Sequence, residues 1–189
     1  MSKLVLQVII ASTRPGRVGL PVADWFLGLA RADARFDVEV ADLAELALPF
    51  LDEPNHPRLQ KYTKAHTMAW SAQVARADAF VFVTPEYNHG YPAPLKNALD
   101  FLFVEWADKP VGFVSYGGVA AGTRSVQTLK QVVASLKMVP IVPAVTIAYV
   151  ATLLDSDRVL QPTAELEASA SAVLSELARL APVLRTLRG

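Results

Sequence analysis

Short apolar runs and amphipathic segments alternate about five times along this chain of 189 residues, and this alternation limits the fold more than any other feature. Two of the runs, residues 4–10 and 79–83, are apolar at almost every position, as is typical of central parallel strands buried on both faces. A helical pattern follows each strand pattern, so consecutive strands are joined by crossovers that place helices against the sheet. The alternation therefore predicts an open parallel sheet covered by helices on both faces.

The order of these patterns also predicts where the elements lie. Strands are expected at residues 4–10, 36–42, 79–83, 111–116 and 139–145. Helices are expected from residue 20, around residues 66–77, from residue 94, around residues 126–136 and from about residue 163, where Thr163 is a suitable N-cap. Neither a composition break nor an internal repeat interrupts the series, which predicts one domain over residues 1–189.

Composition excludes several functional classes. Apolar residues make up 52% of the chain, which argues against a disordered protein. The 18 basic residues balance 18 acidic ones, so the chain lacks the net positive charge that is typical of nucleic-acid-binding proteins. The chain has no cysteine, and its three histidines lack zinc-helix spacing, so no metal site is expected. Residues 138–154 carry no charge and approach the length of a membrane span. Pro140 and Pro143 would break a helix there, so a membrane-spanning helix is not expected. We expect a cytoplasmic protein with no membrane or nucleic-acid partner.

Three unusual loops follow expected strands: residues 11–19, 84–94 and 115–123. Ligands of open parallel sheets bind beyond the carboxyl ends of the strands, near the switch in strand order. The sequence therefore places all three loops along one edge of the sheet.

The first loop has the composition of a phosphate site. It carries Arg14 and Arg17 beside two hydroxyl residues and two glycines, and it leads into a helix N-terminus. Free backbone N–H groups and the helix dipole favour a bound phosphate there. The spacing is neither that of an ATP P-loop nor that of a dinucleotide turn, so a single terminal phosphate fits better. A solvated connection that merely caps the helix is the alternative.

The other two loops suit a flat ligand. Loop 84–94 holds three prolines, with Tyr87, His89 and Tyr91 close together, and loop 115–123 contains Gly117-Gly118, which permits close backbone approach. A rigid backbone beside aromatic faces favours a planar heteroaromatic ring. Simple turns remain the alternative for both loops.

Three motifs resemble the NADPH-dependent FMN reductase family, which includes azoreductases, quinone reductases and chromate reductases. They are Ser12-Thr13-Arg14, Pro85-Glu86-Tyr87-Asn88 followed by Pro94-x-Lys96-Asn97-x-x-Asp100, and Tyr116-Gly117-Gly118. The resemblance covers roughly residues 4–145, in the family's order and at comparable spacing. Two alanines, Ala11 and Ala121, stand where the family often has glycine.

The resemblance implies a flavodoxin-like, three-layer α/β/α fold with a five-stranded parallel sheet in the order 2-1-3-4-5, binding FMN. It implies a phosphate site formed by Ser12, Arg14, Val18 and Gly19, with Arg17 at its edge. It implies that the isoalloxazine ring is lined by Pro85, Glu86, Tyr87 and Asn88, and that its pyrimidine side is covered by Ser115, Tyr116, Gly117 and Gly118.

The expected function is that of an enzyme. NADPH, or NADH, would give a hydride to the flavin N5, and electrons would pass to small-molecule acceptors such as quinones, azo compounds, metal oxyanions or free flavin. The flavin carries this chemistry, so no side chain is expected to be catalytic. A flavodoxin-type electron carrier is the alternative, and a flavin-binding subunit that never turns over is a third reading.

A homodimer or homotetramer is also expected. Within residues 95–106, Leu95, Leu99 and Leu102 supply an inward face, and Phe101 and Trp106 lie partly off it. Large aromatic side chains outside the core commonly mark interfaces. The resemblance points the same way, because relatives place this helix near their subunit contact.

Overall fold

The computed structural model describes residues 3–188 and contains one parallel sheet. Its strands are β1 (Leu4–Ile10), β2 (Phe36–Asp42), β3 (Ala79–Pro85), β4 (Pro110–Tyr116), β5 (Val139–Pro140) and β6 (Val145–Ile147). The order is β2-β1-β3-β4-β5. β5 pairs with the first residues of β4, and β6 pairs with the last residues of β4 on the same side. The predicted order 2-1-3-4-5 is confirmed, with the last strand in two pieces.

Helices cover both faces of the sheet. They are α1 (Gly19–Ala32), α2 (Leu43–Leu46), α3 (Ala65–Arg76), α4 (Ala93–Asp100), α5 (Thr123–Ser135) and α6 (Ala164–Arg185). Alternate residues of β1 point to opposite faces, so Leu6 and Val8 join the core beneath α1 and α6, whereas Ile9 joins the core beneath α3, α4 and α5. The expected three-layer arrangement is therefore present.

The core beneath α3, α4 and α5 is unusually aromatic. Trp70 and Trp106 meet edge to face with ring centroids 5.8 Å apart, and both indole N–H groups donate to backbone carbonyls of α4. Phe101 and Trp106 are 0% exposed. The expectation that these two side chains lie off the core is wrong, because the chain turns after Asp100 and carries both of them inward. They give no support to a subunit interface.

The expected continuous strand over 139–145 is also wrong. Ile141 still donates its N–H to the Val111 carbonyl over 3.0 Å, but pairing then stops until Val145. Pro140 and Pro143 have no N–H to donate, so this stretch cannot form an unbroken ladder. The two-piece strand lets residues after Ile147 turn back over the end of β4.

The last helix begins as expected, since the Thr163 hydroxyl accepts a hydrogen bond from the Leu166 N–H over 3.4 Å. Among residues 3–188, no helix has both the length and the apolar run needed to cross a bilayer. The same residues include no group of three or more His, Cys, Asp or Glu side chains placed to hold a metal ion.

Candidate functional site

The loops after β1, β3 and β4 meet at a recess of about 140 Å³ beyond the carboxyl ends of these strands. Its lining comes from all three loops and from one later residue. The lining residues are Ser12, Arg14, Arg17, Val18, Pro85, Glu86, Tyr87, Tyr116, Gly117 and Val150. The predicted convergence of the loops is therefore present, and nine of these residues belong to the predicted set.

The loop from Ala11 to Val18 is anchored at its start and open at its end. The Ala11 N–H donates to the Val83 carbonyl over 3.0 Å, which continues the sheet for one residue. Gly16 has φ +68°, a backbone conformation that other residues rarely adopt. Val18 is the N-cap of α1 and makes no side-chain cap bond, so the first amides of the helix lack partners inside it. Such an end attracts an anion.

The two loop arginines have different surroundings. Arg17 forms an ion pair with Asp42, and their side chains are only 11% and 6% exposed. Arg17 Nη1 also donates to the Ser12 carbonyl, so this side chain ties the loop to the end of β2. The exposed Arg14 side chain makes no hydrogen bond to any residue in the described part of the chain. The pairing neutralises Arg17 and leaves Arg14 as the cation available to a phosphate.

Asp42 was not among the predicted site residues. It caps α2 by accepting from the Ala44 N–H over 3.0 Å, in addition to its bond with Arg17. The rule that places ligand loops at carboxyl strand ends applies equally to β2, which ends at Asp42. That rule would have found it.

Tyr116 lines the recess, and Gly19 packs behind it against its hydroxyl. A Cβ on Gly19 would lie 2.7 Å from the Tyr116 hydroxyl oxygen, so only glycine fits here without a shift. The Tyr116 hydroxyl is buried and has no hydrogen-bond partner among the described residues. Burial, aided by the neighbouring Tyr87, raises its pKa well above the usual value and outweighs the opposing effects of the nearby Ser12 hydroxyl and of the Arg17 and Arg14 charges, so the group stays protonated. A buried donor without a partner is uncommon, and a polar ligand in the recess would supply one.

The loop after β3 is a rigid hairpin. The Tyr87 and Gly90 backbones exchange hydrogen bonds of 2.9 and 3.0 Å, and Asn88 and His89 between them have φ of +50° and +69°. Positive φ at both central residues is what a tight two-residue hairpin turn requires. The Tyr87 hydroxyl lies 2.6 Å from the Ser12 Oγ, which joins this hairpin to the loop after β1.

Glu86 has a structural partner that the sequence did not indicate. Its carboxylate binds the Arg124 guanidinium and accepts from the Arg124 N–H over 3.2 Å. The N-cap of α5, Gly122, has no side chain to cap the helix, and Glu86 supplies the missing acceptor from another loop. Burial raises the pKa of Glu86, but the hydrogen bonds and charge of Arg124 outweigh it, so the pKa lies below its usual range. The carboxylate is therefore ionised and bound to Arg124.

The loop after β4 is held by its own backbone. Ser115 is fully buried and its hydroxyl donates to the Ala121 carbonyl over 2.8 Å. Ala121 and Gly122 have φ of +52° and +77°, and a Cβ on Gly122 would come within 3.0 Å of the Tyr116 backbone. Ala121 thus adopts a left-handed backbone conformation that glycine favours.

Four predicted residues stand next to the recess instead of lining it. Gly19 lies behind Tyr116, Asn88 is exposed in the hairpin turn, and Ser115 is buried beneath the loop. The Gly118 carbonyl accepts from the Tyr149 N–H over 3.1 Å. Val150, which donates its N–H to the Gly117 carbonyl over 3.1 Å, was missed because it follows the broken strand.

These features define a flavodoxin-like α/β protein with a small recess at the switch between β1 and β3. Residues 5–152 match the family described as NADPH-dependent FMN reductase, and the chain belongs to that family. It is 45% identical over 146 residues to an NAD(P)H-dependent FMN reductase of Schizosaccharomyces pombe, covering 75% of this chain and 72% of that protein.

Two further comparisons agree. The chain is 30% identical over 130 residues to an FMN-dependent NADPH-azoreductase of Staphylococcus saprophyticus, covering 68% of this chain and 69% of that protein. The structure superposes on the flavoenzyme NAD(P)H:(acceptor) oxidoreductase of Paracoccus denitrificans with a TM-score of 0.75 at 19% identity, covering 95% and 97% of the two chains. At this identity, the superposition on the Paracoccus denitrificans enzyme supports the flavodoxin-like fold alone. The chain is an enzyme, an FMN-dependent NAD(P)H oxidoreductase, and the electron-carrier alternative is not favoured.

Proposed function

We propose that FMN binds in the recess with its phosphate on the loop from Ala11 to Val18 and its ring between the loops after β3 and β4. The observation that carries the proposal is the unpartnered, buried Tyr116 hydroxyl at the point where the three loops meet. Open amides at the start of α1 and the uncommitted Arg14 supply donors and charge suited to a phosphate.

The protein's part in the reaction is to hold and orient. Bound FMN supplies hydride acceptance from NAD(P)H and onward electron transfer. The Ser12–Tyr87 contact and the Glu86–Arg124 pair fix the loops on either side of the recess relative to one another. Preorganised backbone N–H groups in these loops stabilise negative charge that develops on a bound ring. No side chain in this arrangement has to act as a nucleophile or a general acid.

The acceptors we propose are quinones, azo compounds, metal oxyanions and free flavin. Relatives named as FMN reductases, an azoreductase and quinone oxidoreductases support free flavin, azo compounds and quinones. Metal oxyanions rest on the resemblance of the motifs alone. The shape of the site agrees, because the recess is small and Tyr87 at its edge is 39% exposed. An open edge without a deep polar pocket selects weakly among flat or small acceptors.

An absorbance experiment tests the proposed function. Purified protein is loaded with FMN and separated from free flavin, and spectra are recorded under nitrogen before and after one equivalent of NADPH or NADH. We expect flavin absorbance to bleach within seconds and to return when benzoquinone is added. Retained flavin that neither nucleotide bleaches would contradict the reductase function.

Steady-state kinetics test the shared use of one open recess. If donor and acceptor occupy the same flavin face in turn, each reacts separately with the enzyme, and double-reciprocal plots over a grid of NADPH and benzoquinone give parallel lines. Lines that converge to the left of the axis would mean a ternary complex and a second pocket.

A homodimer or homotetramer remains part of the proposal, on different support from that given by the sequence. Phe50 is 86% exposed, and beside it lies an apolar pocket of about 400 Å³ between α2 and α4. Asn97 donates to the Pro49 carbonyl over 2.7 Å and accepts from the Leu51 N–H over 3.0 Å, so the backbone of Phe50 is held firmly. A protruding ring beside a pocket suits a two-fold contact between copies of this chain. The cytoplasmic location and the single-domain extent stay predictions.

A further inference from the structure

Arg158 contacts the phosphate loop from outside the part of the chain that defines the family. It follows residue 152, where the family match ends. Its Nη2 donates to the carbonyls of Gly16 and Arg17 over 3.2 and 3.3 Å. These carbonyls belong to the last turn of the loop before α1 begins at Gly19. An arginine distant in sequence thus braces the loop just ahead of the open helix end.

The turn that presents Arg158 is itself well ordered by hydrogen bonds. The Asp155 N–H donates to the Val159 carbonyl over 3.1 Å. The Asp155 carboxylate accepts from the N–H groups of Asp157 and Val159 over 3.0 and 2.9 Å. Arg158 has φ +62° between them, a conformation that a non-glycine residue adopts only when its surroundings hold it. The backbone that carries the exposed Arg158 side chain is therefore held in place by this turn.

Peptide geometry links this brace to the recess. In a trans peptide the C=O and N–H groups point in opposite directions. A bond that holds the Arg17 carbonyl toward Arg158 therefore turns the Val18 N–H to the other side of the loop. Val18 lines the recess, whereas Arg158 lines a neighbouring cavity that shares Arg14 and Arg17 with the recess. The contact therefore fixes the orientation of a backbone donor, the N–H of a residue that lines the recess.

We propose that Arg158 is a positioning residue for the FMN phosphate, acting through the carbonyls of Gly16 and Arg17. The proposal rests on the proposed function, because it assumes that the phosphate binds on this loop. Its guanidinium also adds positive charge beside a loop in which Asp42 already neutralises Arg17. Arg158 touches the loop and not the ligand, so its effect should be specific to flavins that carry a phosphate.

Flavin titrations test the proposal. Apoprotein of the wild type, Arg158→Ala and Arg158→Lys is titrated with FMN and with riboflavin, and binding is followed by quenching of flavin fluorescence. We expect Arg158→Ala to weaken FMN binding roughly 5- to 10-fold and to leave riboflavin within about twofold, since only charged-group hydrogen bonding is disturbed. Arg158→Lys should stay within about threefold of wild type for FMN, because an ammonium still donates to both carbonyls.

The matched control is Arg179→Ala, which removes an exposed arginine of α6 that pairs only with Glu176. It should leave both flavin affinities unchanged. Thermal unfolding of each apoprotein shows whether a variant is simply less folded. Equal losses for FMN and riboflavin, or no loss for FMN, would overturn the role of Arg158.

Amide hydrogen exchange of the apoprotein separates this proposal from the proposed function. Without the brace, the N–H groups of Arg17 and Val22, which donate to the Arg14 and Val18 carbonyls over 3.1 and 3.4 Å, should exchange faster in Arg158→Ala than in the wild type, while α6 amides stay unchanged. Unchanged exchange of these two amides overturns the brace, whichever flavins bind. A wild-type protein that binds neither flavin contradicts the proposed function, and faster exchange in the variant would still support the brace.

Discussion

At the scale of single residues, Arg14 is the side chain on which the phosphate assignment depends. Its guanidinium has no partner among the described residues, whereas Arg17 beside it is already paired. We expect Arg14→Ala to weaken FMN binding about 10- to 100-fold, or about 1.5–3 kcal/mol, as for a lost hydrogen bond to a charged group. Riboflavin binding should barely change, because riboflavin has no phosphate. Fluorescence titration of both flavins makes the comparison, and equal losses would contradict the assignment.

Gly19 and Tyr116 form a pair whose coupling can be measured. In a helix interior alanine is normally better than glycine by about 1 kcal/mol, and Gly19 is the first residue of α1. Here a Cβ would meet the Tyr116 hydroxyl at 2.7 Å inside the packed core, so we expect Gly19→Ala to destabilise the protein by about 1–2 kcal/mol. In a Tyr116→Phe background the hydroxyl is gone, and the same substitution should cost little or become favourable.

Urea unfolding of the four proteins in this cycle gives the coupling free energy between the two positions. Gly28→Ala, at a helix position where a Cβ meets nothing within 4 Å, is the control and should be stabilising. Additive effects of Gly19→Ala and Tyr116→Phe would show that the contact is not tight.

The sequence indicated most of the residues that line the recess but not all of the contacts that they make. Motif order and the strand-end rule placed Ser12, Pro85 and Tyr116 together correctly. The engagement of Glu86 by Arg124 was not predictable, because their separation of 38 residues has no local pattern. Val150 was missed because the path of the chain after Ile147 depends on where the last strand breaks.

At the scale of elements, Asp78 joins the start of β3 to β1 and to the end of α6. Its carboxylate accepts from the Val5 N–H and the Arg185 Nε over 3.0 Å each, and from Arg188 over 3.1 Å. Burial raises the pKa of Asp78, but hydrogen bonds and charge from Arg185, Val5 and Arg188 outweigh it, so the pKa in the folded protein is lowered. This one side chain fixes the end of α6 at the amino-terminal ends of the strands, opposite the recess.

The lowered pKa sets the direction of a pH effect. The stabilisation from Asp78 is fully present above its unfolded pKa of about 3.9 and is lost as pH falls through the lower folded value. We expect Asp78→Asn to reduce the free energy of unfolding by about 1–3 kcal/mol at pH 7. The variant should also lose less stability than the wild type between pH 7 and pH 3.

Urea unfolding at several pH values measures both effects. Asp24→Asn is the matched control, because Asp24 is exposed and makes no ion pair within residues 3–188. It should change neither the stability at pH 7 nor its slope with pH. A variant at Asp78 whose stability falls with acid as steeply as that of the wild type would contradict the linkage.

Element boundaries were predictable where the pattern was uniform. β1 and β2 begin and end where the alternation placed them. The stretch 139–145 has the same apolar character, but its two prolines interrupt the hydrogen-bond ladder. A hydropathy pattern does not show that a proline lacks the N–H group needed for the ladder. The burial of Phe101 and Trp106 followed from a chain turn after α4 that helical periodicity could not anticipate.

At the scale of the whole molecule, Phe50 should control assembly. We expect light scattering of the wild type at micromolar concentration to give at least twice the 20.5 kDa of one chain. Phe50→Ser should shift the protein toward the monomer, since a central aromatic anchor carries much of an interface's free energy. Val142→Ser, which changes a side chain that is 90% exposed near the opposite edge of the sheet, should have no effect. A wild type that scatters as a single chain would contradict the assembly proposal.

The broken strand at the far edge has a consequence for how this molecule behaves in a crowded solution. β5 has two residues and β6 has three, with Pro143 between them, so that border offers no long row of free amide and carbonyl groups. A neighbouring chain needs such a row to add itself as another strand. The molecule is thereby protected on this side from open-ended addition of strands from other copies.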